Sequence, residues 1–294
     1  MADKYKISDF IPSSDFQFYI QLAKLNTPKF HVHSHEFSEL VVILNGTGLH
    51  RTDIEIYPIS AGDIISLNGD MRHGFEGADS LELCNIMYDP AQFLDENADI
   101  TQLAGYHALF MLEPLYRQFT EFRSRLHLDH DELIYVTGLI SKLLSEFEEQ
   151  SPGFQTMIRA QFIHLVVYLS RCYEEFRPNN HMWQLAAVMN YIAANYTDKI
   201  RLEELASLAH LSTSHFERVF RETFQTSPID YLIRLRLRKA CELIPEQKYT
   251  ISQIAFAVGF SDSNYFSRQF KRNIGKTPLQ YRKELQGGKT SRPS

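Results

Sequence analysis

Short apolar runs separated by turn signals fill residues 15 to 90. The run 40–44 ends at Asn45-Gly46, and the run 54–59 is followed by Ala61-Gly62-Asp63. The run 64–67 ends at Asn68-Gly69-Asp70, and 81–88 at Asp89-Pro90. Asn-Gly supplies the positive φ of a tight turn, so a hairpin is expected at 45–46. Many short strands at this spacing predict a small barrel or sandwich.

From about Tyr106 the period changes. Leu133, Val136, Ile140, Leu144 and Phe147 recur at three- and four-residue steps, which predicts a helix capped by Asp129 or Asp131 and stopped by Ser151-Pro152-Gly153. A second helix follows, with Met157, Ile158, Phe162, Leu165, Val166 and Leu169 expected inward. Arg177-Pro178-Asn179-Asn180 reads as a linker, and the Gly-, Ser- and Pro-containing tail 287–294 as disordered.

The last third contains a degenerate repeat with a period near 50. Leu205-Ala206 matches Ile254-Ala255, Leu211-Ser212 matches Phe260-Ser261, and Ser214 matches Ser263, all at an offset of 49. After one inserted residue, Phe216, Arg218, Phe220, Pro228 and Tyr231 match Phe266, Arg268, Phe270, Pro278 and Tyr281 at an offset of 50. Each copy reads as helix, tight turn, helix. A small residue (Ala206, Ala255) stands where two helices cross, and His210 or Gly259 stands at the turn. The phenylalanines face inward. Ser214, His215, Glu217, Arg218 and Arg221 are left outward in the first copy, and Ser263, Asn264, Ser267, Arg268 and Lys271 in the second. Hydroxyl, amide and guanidinium groups read base edges, while Arg and Lys also hold phosphate. A single such face is as readily a solvated surface; two registered copies favour DNA. The intervening segment 228–244 predicts a helix of about 26 Å, long enough to hold two reading helices about one DNA turn apart.

Charge supports this division. Residues 183–294 carry 17 Lys and Arg against 10 Asp and Glu, a net of +7. Residues 1–182 carry 13 against 26, a net of −13. A basic third on an acidic body suits a polyanionic partner. No run of 18 apolar residues exists, so no membrane span is expected. The start MADKYKISDF lacks a signal-peptide pattern, and Cys84, Cys172 and Cys241 form neither a disulfide framework nor a CxxC pair. A reducing cytoplasm is expected.

The string IAFAVGFSDSNYFSRQFKRNIGKTP, residues 254–278, closely resembles the signature of the AraC/XylS family of bacterial transcription regulators. The first copy, ELASLAHLSTSHFERVFRETFQTSP, resembles the family's first motif, with Gln225 where glycine is frequent. The resemblance covers about residues 183–286. It implies base contacts at Ser214, Glu217 and Arg218, and at Asn264, Ser267 and Arg268. The N-terminal half resembles the family's small cupin sensor, with a more specific likeness to regulators of L-rhamnose genes and related sugar operons. His33-x-His35, Glu39 and Gly46 resemble the first cupin motif, and Gly62 and His73 the second; Asn68, Asp70 and Gly77 replace its usual proline, glycine and asparagine. In metal-bearing cupins the equivalents of His33, His35, Glu39 and His73 are ligands.

Three roles fit these four residues: a metal site, hydrogen-bonding contacts to a polar effector, or imidazoles satisfied inside the barrel. Contacts or structure are expected ahead of metal, and Arg51 is a further candidate effector contact. The expected fold is α+β and multidomain: a cupin-like sensing barrel (1–105), a helical dimerisation segment (106–180), a double helix-turn-helix domain (181–286) and a tail (287–294). The expected function is a cytoplasmic, sequence-specific transcription regulator, an activator answering a sugar-type effector, working on duplex DNA as a homodimer with RNA polymerase. No cofactor, membrane contact or enzymatic activity is expected. The alternative is a cupin metalloprotein or metal-dependent enzyme joined to a DNA-binding domain.

Overall fold

The structure is a computed structural model. It describes residues 3–10, 15–26, 32–68, 71–94, 99–117, 126–176, 181–246 and 248–287. The expected linker 177–180 and all of the expected tail but Gly287 lie outside these residues. The chain divides into two compact units, Met1–Ala186 and Ala187–Ser294. Among the described residues no helix is long and apolar enough to cross a membrane.

The first unit is built on seven strands: β1 (Asp3–Tyr5), β2 (Phe18–Leu25), β3 (His33–His35), β4 (Ser38–Thr52), β5 (Ile56–Ser60), β6 (Ile64–Asn68) and β7 (His73–Tyr88). The long strands β4 and β7 pair with each other antiparallel along nearly their whole length. The first half of β4 also pairs with β6, and the second half of β7 with β2. Beyond the bend, β4 pairs with β5 and β7 meets β3, which pairs parallel with β1. Two half-sheets thus share two bent strands and enclose one interior.

The bend falls where a hairpin was expected. Asn45-Gly46 does not end a strand; it lies inside β4, at register shifts against β7. Gly46 has φ 78°, and a side chain there would collide with the backbone carbonyls of Asp79 and Ser80. The positive φ inferred from Asn-Gly is present, but it serves a bulge that folds the strand over rather than a reversal.

Val41, Ile43, Tyr57, Ile59, Ile65, Leu67, Phe75, Leu81 and Leu83 fill the interior. The alternate residues of the first half-sheet face helices instead. After the short α1 (Pro90–Phe93), a helical stretch comprises α2 (Ala104–Tyr106), a π-helical segment (His107–Leu112) and α3 (Glu113–Arg117). The helices α4 (His130–Glu149) and α5 (Phe154–Phe176) then pack antiparallel. Phe162 of α5 meets Phe18 and Tyr88 at ring separations of 5.6 and 4.7 Å.

Asp129 caps α4, with Glu132 closing a capping box. Val136 and Ile140 are buried as expected, together with Leu139 and Leu143. Leu133, Leu144 and Phe147 are only half-buried, and Phe147 packs edge-on against Tyr19. The stripe therefore packs into this unit at Val136 and Ile140, with Leu133, Leu144 and Phe147 along its margin. On α5, Ile158, Phe162, Leu165, Val166 and Leu169 are buried, but Met157 is exposed. Met157 precedes the buried stripe by a turn fraction that carries it onto the outer face.

The second unit holds the repeat. The last part of α6 (His181–Asn195) leads into α7 (Leu202–Leu208) and α8 (Thr213–Phe224). Then come α9 (Pro228–Leu243), α10 (Ile251–Ala257), α11 (Ser263–Ile274) and α12 (Pro278–Gly287). Phe216, Phe220, Phe266 and Phe270 are fully buried, and Ile233, Leu237 and Ala240 of α9 pack against the second copy. Ser212 and Asp262 cap the two second helices, so the offset becomes 50 at Ser212 rather than after Ser214. Leu211 and Phe260 still correspond, since each donates its N–H to the carbonyl of Ala206 or Ala255. The inserted residue is therefore Ser261, in the turn, and Ser214 corresponds to Asn264.

Candidate functional site

The interior of the barrel narrows to a polar centre. Side chains alternate along a strand, so His33 and His35 share the inner face of β3. His73 opens β7 directly across from His33, and their rings lie 4.6 Å apart. Glu39 enters from the start of β4 and is 1% exposed, as are His35 and His73. His35 Nε2 lies 3.1 Å from His73 Nε2, and Glu39 Oε2 lies 3.2 and 3.3 Å from those two nitrogens. The ring of His35 stacks on Phe37 at 4.3 Å, and its Nδ1 donates to the Phe37 carbonyl at 2.8 Å. Burial and the neighbouring His50, His35 and His33 push His73 well below the usual histidine range, so it is neutral at neutral pH.

The four clustered candidates, His33, His35, Glu39 and His73, are thus brought together. Arg51 is not. His50 and Arg51 are consecutive on β4, so only one faces inward; His50 is fully buried, and Arg51 pairs with Glu76 of β7 on the outer face. Arg51 therefore points away from the interior that holds the four clustered residues. Sequence reasoning missed His50 and its partner Tyr57, whose hydroxyl lies 2.6 Å from His50 Nδ1. Strand alternation with Gly48 and Thr52 was the available signal. It also missed Asn85, level with Val41 on the inner face, whose buried Oδ1 has no hydrogen-bond partner.

Glu39 Oε2 is likewise buried without a hydrogen-bond partner. His33, Glu39 and His73 offer ligand atoms all within 4.8 Å of one another. Imidazoles with one carboxylate suit Zn, Fe, Mn or Ni, so the residues fit the ion that cupins of this pattern hold. The same acceptors suit a ligand rich in hydroxyl donors.

The second candidate surface is the outward face of α8 and α11. Ser214, His215, Arg218 and Arg221 are exposed on α8, and Asn264, Arg268 and Lys271 on α11. Glu217, Ser263 and Ser267 are half-buried. The two faces have different electrostatics. On α8, Arg221 pairs with Glu217 at 2.9 Å and Arg218 with Glu222 at 3.1 Å. On α11 there is no acidic residue; Arg268, Lys271 and Arg272 leave it strongly basic, and the Arg268 guanidinium lies 5.9 Å from the Tyr265 ring. Ser267 donates its hydroxyl proton to the Ser263 carbonyl at 2.9 Å, which leaves its oxygen lone pairs as acceptors.

Comparison with known proteins follows the same division. Residues 15–166 match the model of the AraC-like ligand binding domain, and residues 205–284 match a helix-turn-helix domain. The transcriptional activator RhaR of Mannheimia succiniciproducens is 26% identical over 256 residues, 87% of this chain and 88% of that protein. The transcriptional activator RhaS of Escherichia coli is 28% identical over 282 residues, 95% of this chain and 96% of that one. Among solved structures, the C-terminal domain of the response regulator yesN from Fusobacterium nucleatum is 35% identical, covering 32% of this chain and 93% of its own, with a TM-score of 0.31.

Proposed function

The chain belongs to the AraC/XylS family of transcription regulators, and from that premise we propose that it is a sequence-specific DNA-binding activator switched by a small molecule held in the barrel. The observation that carries the DNA half is the pair of helix-turn-helix copies. They have matching caps, turns and burial, and each presents one polar face in the +7 part of the chain. The sixteen-residue helix α9 joins them. At about 1.5 Å per residue it spans about 24 Å, compatible with two major-groove contacts on one side of a duplex.

The base-reading set is Ser214, Glu217 and Arg218 with Asn264, Ser267 and Arg268. Arg221, Ser263 and Lys271 flank them as backbone contacts. The effector set is His33, His35, Glu39 and His73. A sugar-type molecule fits it, because buried acceptors at Glu39 and Asn85 call for hydroxyl donors. The similarity to RhaR and RhaS along nearly the whole chain supports the activator reading. In this reading the barrel (1–105) senses, the helices 106–180 join two copies, and 181–286 meets DNA and RNA polymerase in the cytoplasm. The protein has no enzymatic activity of its own.

The test is selection of duplexes from a random pool with the full chain, followed by binding measurements on the selected site and on random DNA. Arg268→Ala is expected to weaken the selected site by about 10- to 100-fold more than random DNA, the size of a lost base contact of about 1–3 kcal/mol. Equal loss on both makes Arg268 a phosphate contact.

A further inference from the structure

Three buried atoms face one another at the barrel centre, and their proton inventory is unusual. His35 is fixed: its Nδ1 bonds a carbonyl oxygen, which only accepts, so Nε2 presents a lone pair to the centre. His73 is not fixed by its own partner, because that partner is another imidazole. His73 Nδ1 lies 3.4 Å from His50 Nε2, and His50 Nδ1 lies 2.6 Å from the Tyr57 hydroxyl.

The path from Tyr57 through His50 to His73 has two proton arrangements. In the first, Tyr57 O–H donates to His50 Nδ1, His50 Nε2–H donates to His73 Nδ1, and His73 Nε2–H donates to His35 Nε2. The ring nitrogens along this path are then satisfied, and Glu39 Oε2 is left without a donor. In the second, the bonds reverse: His73 Nδ1–H donates to His50 Nε2, and His50 Nδ1–H donates to the Tyr57 oxygen. No proton is gained or lost. Each imidazole keeps one, and the Tyr57 hydroxyl keeps its own, rotated away from His50 Nδ1. His73 Nε2 now joins His35 Nε2 and Glu39 Oε2 as a third acceptor in a triangle with sides of 3.1, 3.2 and 3.3 Å. Three buried acceptors in that arrangement repel one another unless a cation stands among them.

We propose that Tyr57 and His50 form a two-state tautomer relay that lets His35, Glu39 and His73 take up one divalent transition-metal ion. Donors about 2.0–2.1 Å from such an ion stand about 2.9 Å apart at octahedral angles and about 3.3 Å apart at tetrahedral angles. The triangle falls between these limits before any rearrangement. His33, whose ligand atom lies within 4.8 Å of those of Glu39 and His73, supplies a further nitrogen or leaves that side open to an exogenous ligand. The His73–His50–Tyr57 contacts are the outer hydrogen bonds that orient a metal-binding imidazole and fix its tautomer. The relay does not depend on the DNA-binding reading, since ion uptake and DNA affinity are measured separately.

The test uses untagged full-length protein, stripped with a chelator and titrated with Co2+ under visible absorption, with bound metal counted by elemental analysis. One Co2+ per chain is expected, with ligand-field bands that disappear in Glu39→Gln. Tyr57→Phe keeps the ring but removes the hydroxyl, and is expected to weaken binding by about 10-fold. It touches no ligand, so it remains decisive if Glu39→Gln does not fold. No stoichiometric Co2+ in the wild type, or undiminished uptake by folded Glu39→Gln, overturns the site. Wild-type affinity in Tyr57→Phe overturns the relay.

Discussion

His210 and Gly259 occupy the same turn position in the two helix-turn-helix copies, and both hold a left-handed backbone, with φ 53° and 91°. Their surroundings differ. A Cβ on Gly259 would stand 2.7 Å from the Tyr196 carbonyl oxygen and 2.8 Å from Thr197 Cα. His210 carries a side chain in the left-handed region at the usual cost of about 1–2 kcal/mol. His210→Gly is therefore expected to raise stability by up to about 1 kcal/mol, after the entropy cost of glycine is set against the relieved strain. Gly259→Ala is expected to lower it by more than about 2 kcal/mol, because strain and collision with backbone add. Urea unfolding of the full chain, followed in the second unit, checks both. Equal effects of the two changes would mean that packing around this turn is not what separates the copies.

The unequal charge of α8 and α11 predicts unequal shares of DNA affinity. On α8 the arginines already have carboxylates as partners, so phosphate must displace Glu217 and Glu222. On α11 no acidic residue competes. Each of Lys271→Ala and Arg272→Ala that removes a phosphate contact should lower the slope of log K against log salt by about 1. Arg218→Ala should change that slope less. Glu222→Gln should raise affinity for random duplex by freeing Arg218. Salt titrations on random DNA measure all four variants, and a larger slope change from Arg218→Ala than from Lys271→Ala would reverse the assignment.

The second unit was almost wholly legible in the sequence, because its signals are local. Caps, a turn residue and a phenylalanine every four positions fix each helix within one residue. Only the place of the insertion was misread, since Ser212 and Ser261 are both plausible caps and the choice depends on three-dimensional register. The barrel was less legible. Asn45-Gly46 carries the same dihedral information whether it reverses a strand or bends one, and the deciding fact is the approach of Asp79 and Ser80, more than thirty residues away. The His33, His35, Glu39 and His73 cluster was readable from spacing and resemblance. His50 and Tyr57 were hidden because their role appears only when β4, β5 and β7 are side by side.

His107 predicts acid sensitivity of the first unit. It is buried in the π-helical segment, with Nε2 donating to the Thr101 carbonyl at 2.7 Å and Nδ1 lying 3.2 Å from Met111 Sδ. Burial lowers its pKa to about 4, against the opposing effect of the Thr101 bond. Above pH 6.5 it is neutral in the folded and unfolded chain, and stability is unaffected. As pH falls from about 6.5 to about 4, the unfolded chain binds a proton that the folded chain refuses, so stability is lost, by about 3 kcal/mol in all. His107→Gln keeps an N–H donor but does not titrate. Its melting temperature should fall less than the wild type's between pH 6.5 and 4.5, and identical slopes would remove His107 as a cause.

The proposed dimer makes the last prediction, and burial decides which residues can test it. Val136 and Ile140 of α4 are packed inside the first unit, so a charge at Ile140 would unfold the sensor rather than separate two copies. The opposite face of α4 is open. Ile134 is 59% exposed, a side chain at Gly138 would meet nothing within 4 Å, and Ser141 is exposed one turn further on. These three lie at i, i+4 and i+7, along one stripe. Joining two copies there would place two pairs of reading helices on repeated half-sites and raise the apparent affinity through effective concentration. The effector would act by favouring one arrangement of the pair, which requires different affinities for the two arrangements. Ile134→Glu with Ser141→Glu should give a folded monomer that keeps single-half-site binding and loses the tight binding to a full site. Sedimentation at micromolar concentration reads the oligomeric state directly. A wild type that stays monomeric with and without DNA, or a double variant that still sediments as a dimer, would take the interface away from this face of α4.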